Sequence, residues 1–178
     1  MEGKKETRCF VGIEIPDEMK KKLIEIRKEL EIDGVHPVED TKLHITLKFF
    51  GAVPEEKIET IQKALAQIKR QPFMVQLYGT GVFPDENYTT TLWVGTKSIM
   101  LEMLADEIQG RLATDFKKES ITPHLTIARI KKKVDLHAFL EKHKHDDFGS
   151  FKADTFKLIK SELKQEGAVY TEIASFTL

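Results

Sequence analysis

The sequence predicts an α+β fold built as two pseudo-duplicated β-α-β-α-β units, with antiparallel sheets facing a central groove and helices on their outer faces. Three observations carry this. Apolar residues alternate with polar ones at a period of two in several short segments, the pattern of half-buried strands. Between these segments lie stretches with apolar residues at helical spacing and Pro, Asp, Glu or Ser at their starts. The order of elements then repeats once, with two short anchors in register: Phe10-Val11-Gly12 resembles Trp93-Val94-Gly95, 83 positions on, and His44-Ile45-Thr46-Leu47 resembles His124-Leu125-Thr126-Ile127, 80 positions on.

The elements follow in order. "RCFVGIEI" (8–15) reads as a strand and "PDEMKKKLIEIRKELE" (16–31) as a helix whose Met19, Leu23, Ile26 and Leu30 share a face. "KLHITLKFFG" (42–51) is the second strand, with Leu43, Ile45, Leu47 and Phe49 on its apolar face and His44, Thr46 and Lys48 on the other. "VPEEKIETIQKALAQIK" (53–69) is a helix with acidic residues in its first turn, and "PFMVQLYGTGVF" (72–83) a strand. "FPDENYTTT" (83–91) has the composition of a crossover loop. The second unit comprises strand 90–97, helix 98–115 opened by Ser98, strand 121–130, helix 134–144, a strand around 151–163 and a last strand 168–178. Residues 1–178 are expected to form one bilobal domain, with lobe one over about 1–86, lobe two over about 87–178, and chain ends crossing between them.

Composition narrows the function classes. A hydrophobic share of 40% and a charged share of 32% describe a globular chain, and no apolar run approaches the roughly 20 residues of a membrane-spanning helix. The start lacks the pattern of a secretory signal, so a cytoplasmic location is expected. Cys9, the one cysteine, excludes an internal disulfide and a cysteine-based zinc site, and reads as a core residue. With 28 basic and 29 acidic residues there is no overall positive field to draw in long duplex nucleic acid, so any nucleic-acid contact is local. One asparagine amid abundant Lys and Glu is a thermophile-like profile.

One His-x-Thr on an exposed strand face is ordinary surface; two copies on equivalent strands are brought together by pseudo-symmetry. Two imidazoles across a cleft perform paired acid–base catalysis, the neutral ring accepting a proton from a nucleophile and the protonated ring donating one to a leaving group. Thr46 and Thr126, two residues further on the same faces, are placed to donate to an anion between the rings, and a phosphodiester suits that arrangement. The residues alone leave open which histidine is acid and which is base.

The pair "HITL" and "HLTI", with "RCFVGIEI" before the first and "FGSF…SELKQEGAVY" after the second, resembles the two-histidine (2H) phosphoesterases, in their RNA 2′,3′-cyclic phosphodiesterase branch, also called 2′-5′ RNA ligase-like. The resemblance covers nearly the whole chain. It implies hydrolysis of a terminal 2′,3′-cyclic phosphate to a 2′-phosphomonoester without metal or cofactor. It further implies His44 as proton donor to the departing 3′ oxygen, His124 as proton acceptor from water, Thr46 and Thr126 at the non-bridging oxygens, and Arg129 as a substrate-binding residue. The expected partners are RNA 3′ ends or small cyclic-phosphate nucleotides, with no membrane, and the chain is expected to be a monomer. Two alternatives stand beside hydrolysis: 2′-5′ RNA ligation by the reverse chemistry, and a non-catalytic module that grips RNA ends.

Strict alternation puts Arg129 on the apolar face, so its use requires the phase to slip after Ala128, as at a bulge. Lys131, Lys132 and Lys133 read as a solvated turn, Phe10 and Trp93 as core, His36 as a loop residue, and His137, His143 and His145 as surface without the spacing of a zinc site.

Overall fold

The computed structural model describes residues 5–119, 121–165 and 167–178. The start, read above as lacking a secretory signal, includes residues 1–4, which lie outside the described residues. Among the described residues nine strands and four helices follow in the order β1 (Glu6–Glu14), α1 (Asp17–Arg27), β2 (Val35–Pro37), β3 (His44–Pro54), α2 (Glu55–Leu65), β4 (Phe73–Phe83), β5 (Thr91–Lys97), α3 (Ile99–Arg111), β6 (His124–Ile130), α4 (His137–His143), β7 (Asp147–Ala153), β8 (Thr155–Lys164) and β9 (Gly167–Thr177). No helix among them is long and apolar enough to cross a membrane.

The strands pair antiparallel throughout, in the order β7-β4-β5-β6-β3-β1-β8-β9. Two four-stranded halves, β7-β4-β5-β6 and β3-β1-β8-β9, meet through the pair Ile45 opposite Leu125. The two expected sheets are thus continuous at one point. Beyond that point β3 leaves β6, and β2 takes its place, pairing Val35, His36 and Pro37 with Ile130, Arg129 and Ala128. The divergence opens the groove.

Strands pass between the halves in both directions. β4 pairs with β5 and β7, so residues 83–91 form a hairpin loop within one half, while β8 and β9 return to pair with β1. The stretch expected as one strand around 151–163 is two strands that part at Asp154 and serve opposite halves. The helix expected over 16–31 ends at Arg27 in a short 3-10 turn, and β2 was missed because three residues carry too little pattern to register a period.

Helix starts obey the local rules. Pro16 and Pro54 precede acidic first turns in α1 and α2. Ser98 caps α3, accepting from the Leu101 amide at 3.3 Å and donating to the Met74 carbonyl at 2.9 Å, which ties the helix to β4. The inner faces of strands and helices form a single core that includes Val11, Leu23, Ile45, Leu47, Leu65, Leu104, Ile108, Leu125, Ile127 and Phe156. Cys9 is fully buried in it, and burial pushes its thiol up to about 11, leaving it unreactive.

Both motif strands carry a bulge at the same place. Opposite β1, Thr46 pairs with Gly12 and Lys48 with Val11, so Leu47 is the extra residue; opposite β5, Thr126 pairs with Trp93 and Ala128 with Leu92, so Ile127 is the extra residue. Each bulge buries two consecutive residues and then returns the next one to the groove side. The phase therefore slips one residue earlier than expected, and Arg129 shares the exposed face of β6 with Thr126 while Ile130 is buried. The same slip corrects the reading of Lys48. It turns away from His44 into the core side, 1% exposed, where its ammonium donates to the Lys117 carbonyl at 2.9 Å.

Candidate active site

His44 and His124 open β3 and β6. Each Nδ1 lies against a backbone carbonyl two residues earlier, that of Lys42 at 2.7 Å and that of Thr122 at 2.8 Å. A carbonyl only accepts, so Nδ1 carries the proton in both rings and Nε2 is the ring atom with a free lone pair. The two tethers are identical in kind, as the repeat of the motif requires.

Aromatic rings fix the planes of the imidazoles. His44 stacks on Phe10 at 4.5 Å between centroids and meets Tyr170 edge-on at 5.3 Å. His124 meets Phe83 edge-on at 4.9 Å and Trp93 at 6.2 Å. Phe10 and Trp93, the aromatic residues of the repeated anchor, were expected in the core; both stand instead on the histidine side of the sheet, Phe10 buried against His44 where it lines the cleft and Trp93 half-buried beside His124. The glycine of the first anchor has a matching reason. A Cβ on Gly12 would lie 3.0 Å from the Ile45 carbonyl oxygen, 3.3 Å from the Phe10 ring and 3.4 Å from the His44 ring, so any larger residue would push these neighbours apart.

Thr46, Thr126 and Arg129 line one cleft with His44, together with Phe10, His36, Phe49, Lys131 and Tyr170; its volume is about 400 Å³. Arg129 Nη1 donates to the Thr91 hydroxyl at 2.7 Å, which aims the guanidinium along the groove. His36 was missed as a site residue. It is no loop residue but the cross-strand neighbour of Arg129 on β2, and the only trace of it in the sequence is the Val-His-Pro triplet. Tyr170 was missed because it reaches His44 from β9, more than a hundred residues away. Phe49 holds the position that Arg129 holds in the other motif, returned to the groove by the equivalent bulge.

Burial dominates the electrostatics. Desolvation lowers the pKa of His44 below the usual histidine value, assisted by the charges of Arg129 and His124 and opposed by the Lys42 carbonyl and Glu14. Desolvation also lowers His124, opposed by the Thr122 carbonyl and assisted by Arg129. Both rings are therefore inclined to the neutral state.

The other histidines separate. His143 is not on the surface: it is 3% exposed, with Nδ1 2.7 Å from the Asp146 carboxylate and Nε2 3.2 Å from that of Glu29, and clamps α4 to the turn after α1. His145 lies 3.4 Å from the Tyr78 hydroxyl and His137 3.6 Å from Glu86. Among the described residues no three His, Cys, Asp or Glu side chains come together as a metal site.

Fold and groove together define a class, an α+β phosphoesterase in which two His-x-Thr strands lie side by side in one sheet. Residues 13–93 match the model of the LigT like Phosphoesterase family. An RNA 2′,3′-cyclic phosphodiesterase of Methanocaldococcus jannaschii is 38% identical over 93% of this chain and 98% of its own, and one of Archaeoglobus fulgidus is 33% identical over 95% and 99%. Among solved structures, TT0787 of Thermus thermophilus matches with a TM-score of 0.85 at 28% identity over 96% of this chain and 97% of its own. E. coli LigT complexed with 3′-AMP matches in fold, with a TM-score of 0.82 at 22% identity over 98% and 99%. This chain belongs to the LigT-like phosphoesterase family.

Proposed function

We propose that the chain hydrolyses the 2′,3′-cyclic phosphate at an RNA or nucleotide 3′ end to a 2′-phosphomonoester. The observation that carries this reading is the pair of Nδ1-tethered imidazoles on two neighbouring bulged strands, His44 in a cleft lined by both threonines and Arg129, and His124 at the start of the adjacent strand, close enough for its charge to act on His44. The names of the full-length relatives support the substrate.

The step is an in-line displacement at phosphorus. His124 Nε2 takes a proton from water as its oxygen bonds to phosphorus, and the bond from phosphorus to the 3′ oxygen breaks as His44, in its imidazolium form, gives up the Nε2 proton to that oxygen. The phosphate stays on the 2′ oxygen. Thr46 and Thr126 hydroxyls and the Arg129 guanidinium donate to the non-bridging oxygens as charge builds on them. Every proton in this scheme is carried by a side chain, so turnover is expected in excess EDTA.

His44→Ala and His124→Ala are each expected to lower kcat at least ~10²-fold on a nucleoside 2′,3′-cyclic phosphate, with circular dichroism unchanged. Full activity in either variant overturns the reading.

A further inference from the structure

In the proposed reaction the cleft takes a terminal nucleotide, and an RNA has more chain to place. The groove has two rims. On the β9 side stand Glu14, Glu39 and Glu172 together with Lys42 and Lys164; Glu39 holds Lys42, and Glu14 and Glu172 share Lys157 at 2.9 Å each. On the β6 side the strand leads from Thr126 past Arg129 to Lys131, which lines both the cleft and a second hollow of about 310 Å³. That hollow is lined by Tyr88, Lys132 and Lys133 among others, with Glu86 as its carboxylate.

Two details make this rim more than a solvated turn. Lys132 is turned aside to Asp33 at 2.7 Å, whereas Lys131 and Lys133 have no ion-pair partner among the described residues. The loop that presents Tyr88 is braced from within: the Asp85 carboxylate accepts from the amides of Asn87 at 2.8 Å and Tyr88 at 3.1 Å, and the Thr89 hydroxyl donates to the Asp85 carbonyl at 2.9 Å. The Thr90 carbonyl accepts from the Ile130 amide at 2.9 Å, joining the loop to the end of β6. A rigid loop thus holds an aromatic ring 72% exposed beside two unpaired ammonium groups. Single-stranded nucleic acid is bound by that combination, bases on aromatic faces and phosphates on cations.

We infer that the RNA strand on the 5′ side of the cyclic phosphate leaves the cleft over Lys131 and docks in this second hollow, with a base stacked on Tyr88 and backbone phosphates at Lys131 and Lys133. The inference rests on the phosphodiesterase reading of the cleft. It makes the enzyme a reader of strand length: a mononucleotide engages the cleft alone, whereas an oligonucleotide gains the second site.

The test compares kcat/KM for a mononucleoside 2′,3′-cyclic phosphate and for an oligoribonucleotide of about six residues with the same end, across a salt series. Tyr88 and Lys133 lie outside the cleft and are exposed, so their replacement leaves the core untouched. In Tyr88→Ala and Lys133→Ala, KM for the oligonucleotide is expected to rise about tenfold or more while the mononucleotide is processed as before. Lys133→Ala also lowers the salt slope of oligonucleotide binding by about 0.7. Lys133→Glu deepens the loss, and Tyr88→Phe restores stacking. Equal loss on both substrates, or no loss on either, overturns the inference. Failure of the wild type on both substrates instead overturns the phosphodiesterase reading.

Discussion

At the scale of single residues the proposed chemistry rests on where two protons sit. The Lys42 and Thr122 carbonyls hold Nδ1–H in both rings, so both Nε2 atoms are available, while burial makes both rings less basic than free histidine. In the proposed reaction one ring is protonated and one neutral. The rate in free enzyme and substrate, kcat/KM, is therefore expected to follow a bell whose maximum lies on the acid side of about 6.5. The bound phosphodiester anion favours imidazolium, so the kcat profile moves upward from there. A pH–rate series measures both; a kcat/KM optimum above about 7.5 contradicts the assignment of desolvation as the dominant effect. Pattern reasoning singled out His44, His124, Thr46 and Thr126, the residues of the proposed site, because period two and repetition were enough. It could not find Lys48 in the core, because a bulge breaks the period and leaves no local mark in the letters "LKFFG".

At the scale of elements, each motif strand is preceded by a segment that a buried polar side chain ties down. Ahead of His44, Arg27 on α1 is 9% exposed and donates to the Val38 carbonyl and the Asp40 carboxylate. Ahead of His124, Gln109 on α3 is 1% exposed and bonds Glu119 twice, donating to its carbonyl at 2.6 Å and accepting from its amide at 2.7 Å. Lys48 adds its bond to Lys117 on the same segment, and burial lowers its pKa. These clamps hold the stretches whose Lys42 and Thr122 carbonyls orient the rings. Gln109→Leu is expected to cost about 1–2 kcal/mol in urea denaturation and to lower kcat, because the Thr122 carbonyl loses its fixed position. Lys144→Ala, on an exposed pair, stays within about 0.5 kcal/mol. The helices were legible from spacing and start signals. The clamps were not, since Arg27, Gln109 and Lys48 have partners 10 to 69 residues away and look on paper like ordinary helix or strand polar residues.

At the scale of the whole molecule, the groove exists because two half-sheets touch at Ile45–Leu125 and then part. Strand exchange brings the C-terminal hairpin across to β1, and with it Tyr170 onto the edge of His44. Tyr170→Ala removes part of what shields that ring; the pH–rate profile is then expected to move to higher pH, toward the ordinary histidine value, and KM to rise. An unmoved profile indicates that the shielding comes from Phe10 and the sheet alone. Duplication was legible in the anchors Phe10-Val11-Gly12 and Trp93-Val94-Gly95, which the structure places behind the two histidines. The exchange of β4, β8 and β9 between halves was not, because sequence order implies nothing about which edge a strand joins when hairpin and long-range pairings satisfy the same backbone groups.

The central claim is the division of labour between the histidines. It is tested most directly with a 2′,3′-cyclic substrate carrying sulfur in place of the bridging 3′ oxygen, since a thiolate leaves without a proton. The account predicts that His44→Ala recovers most of its lost rate on this substrate and that His124→Ala does not. Recovery by His124→Ala, or by neither variant, would contradict it.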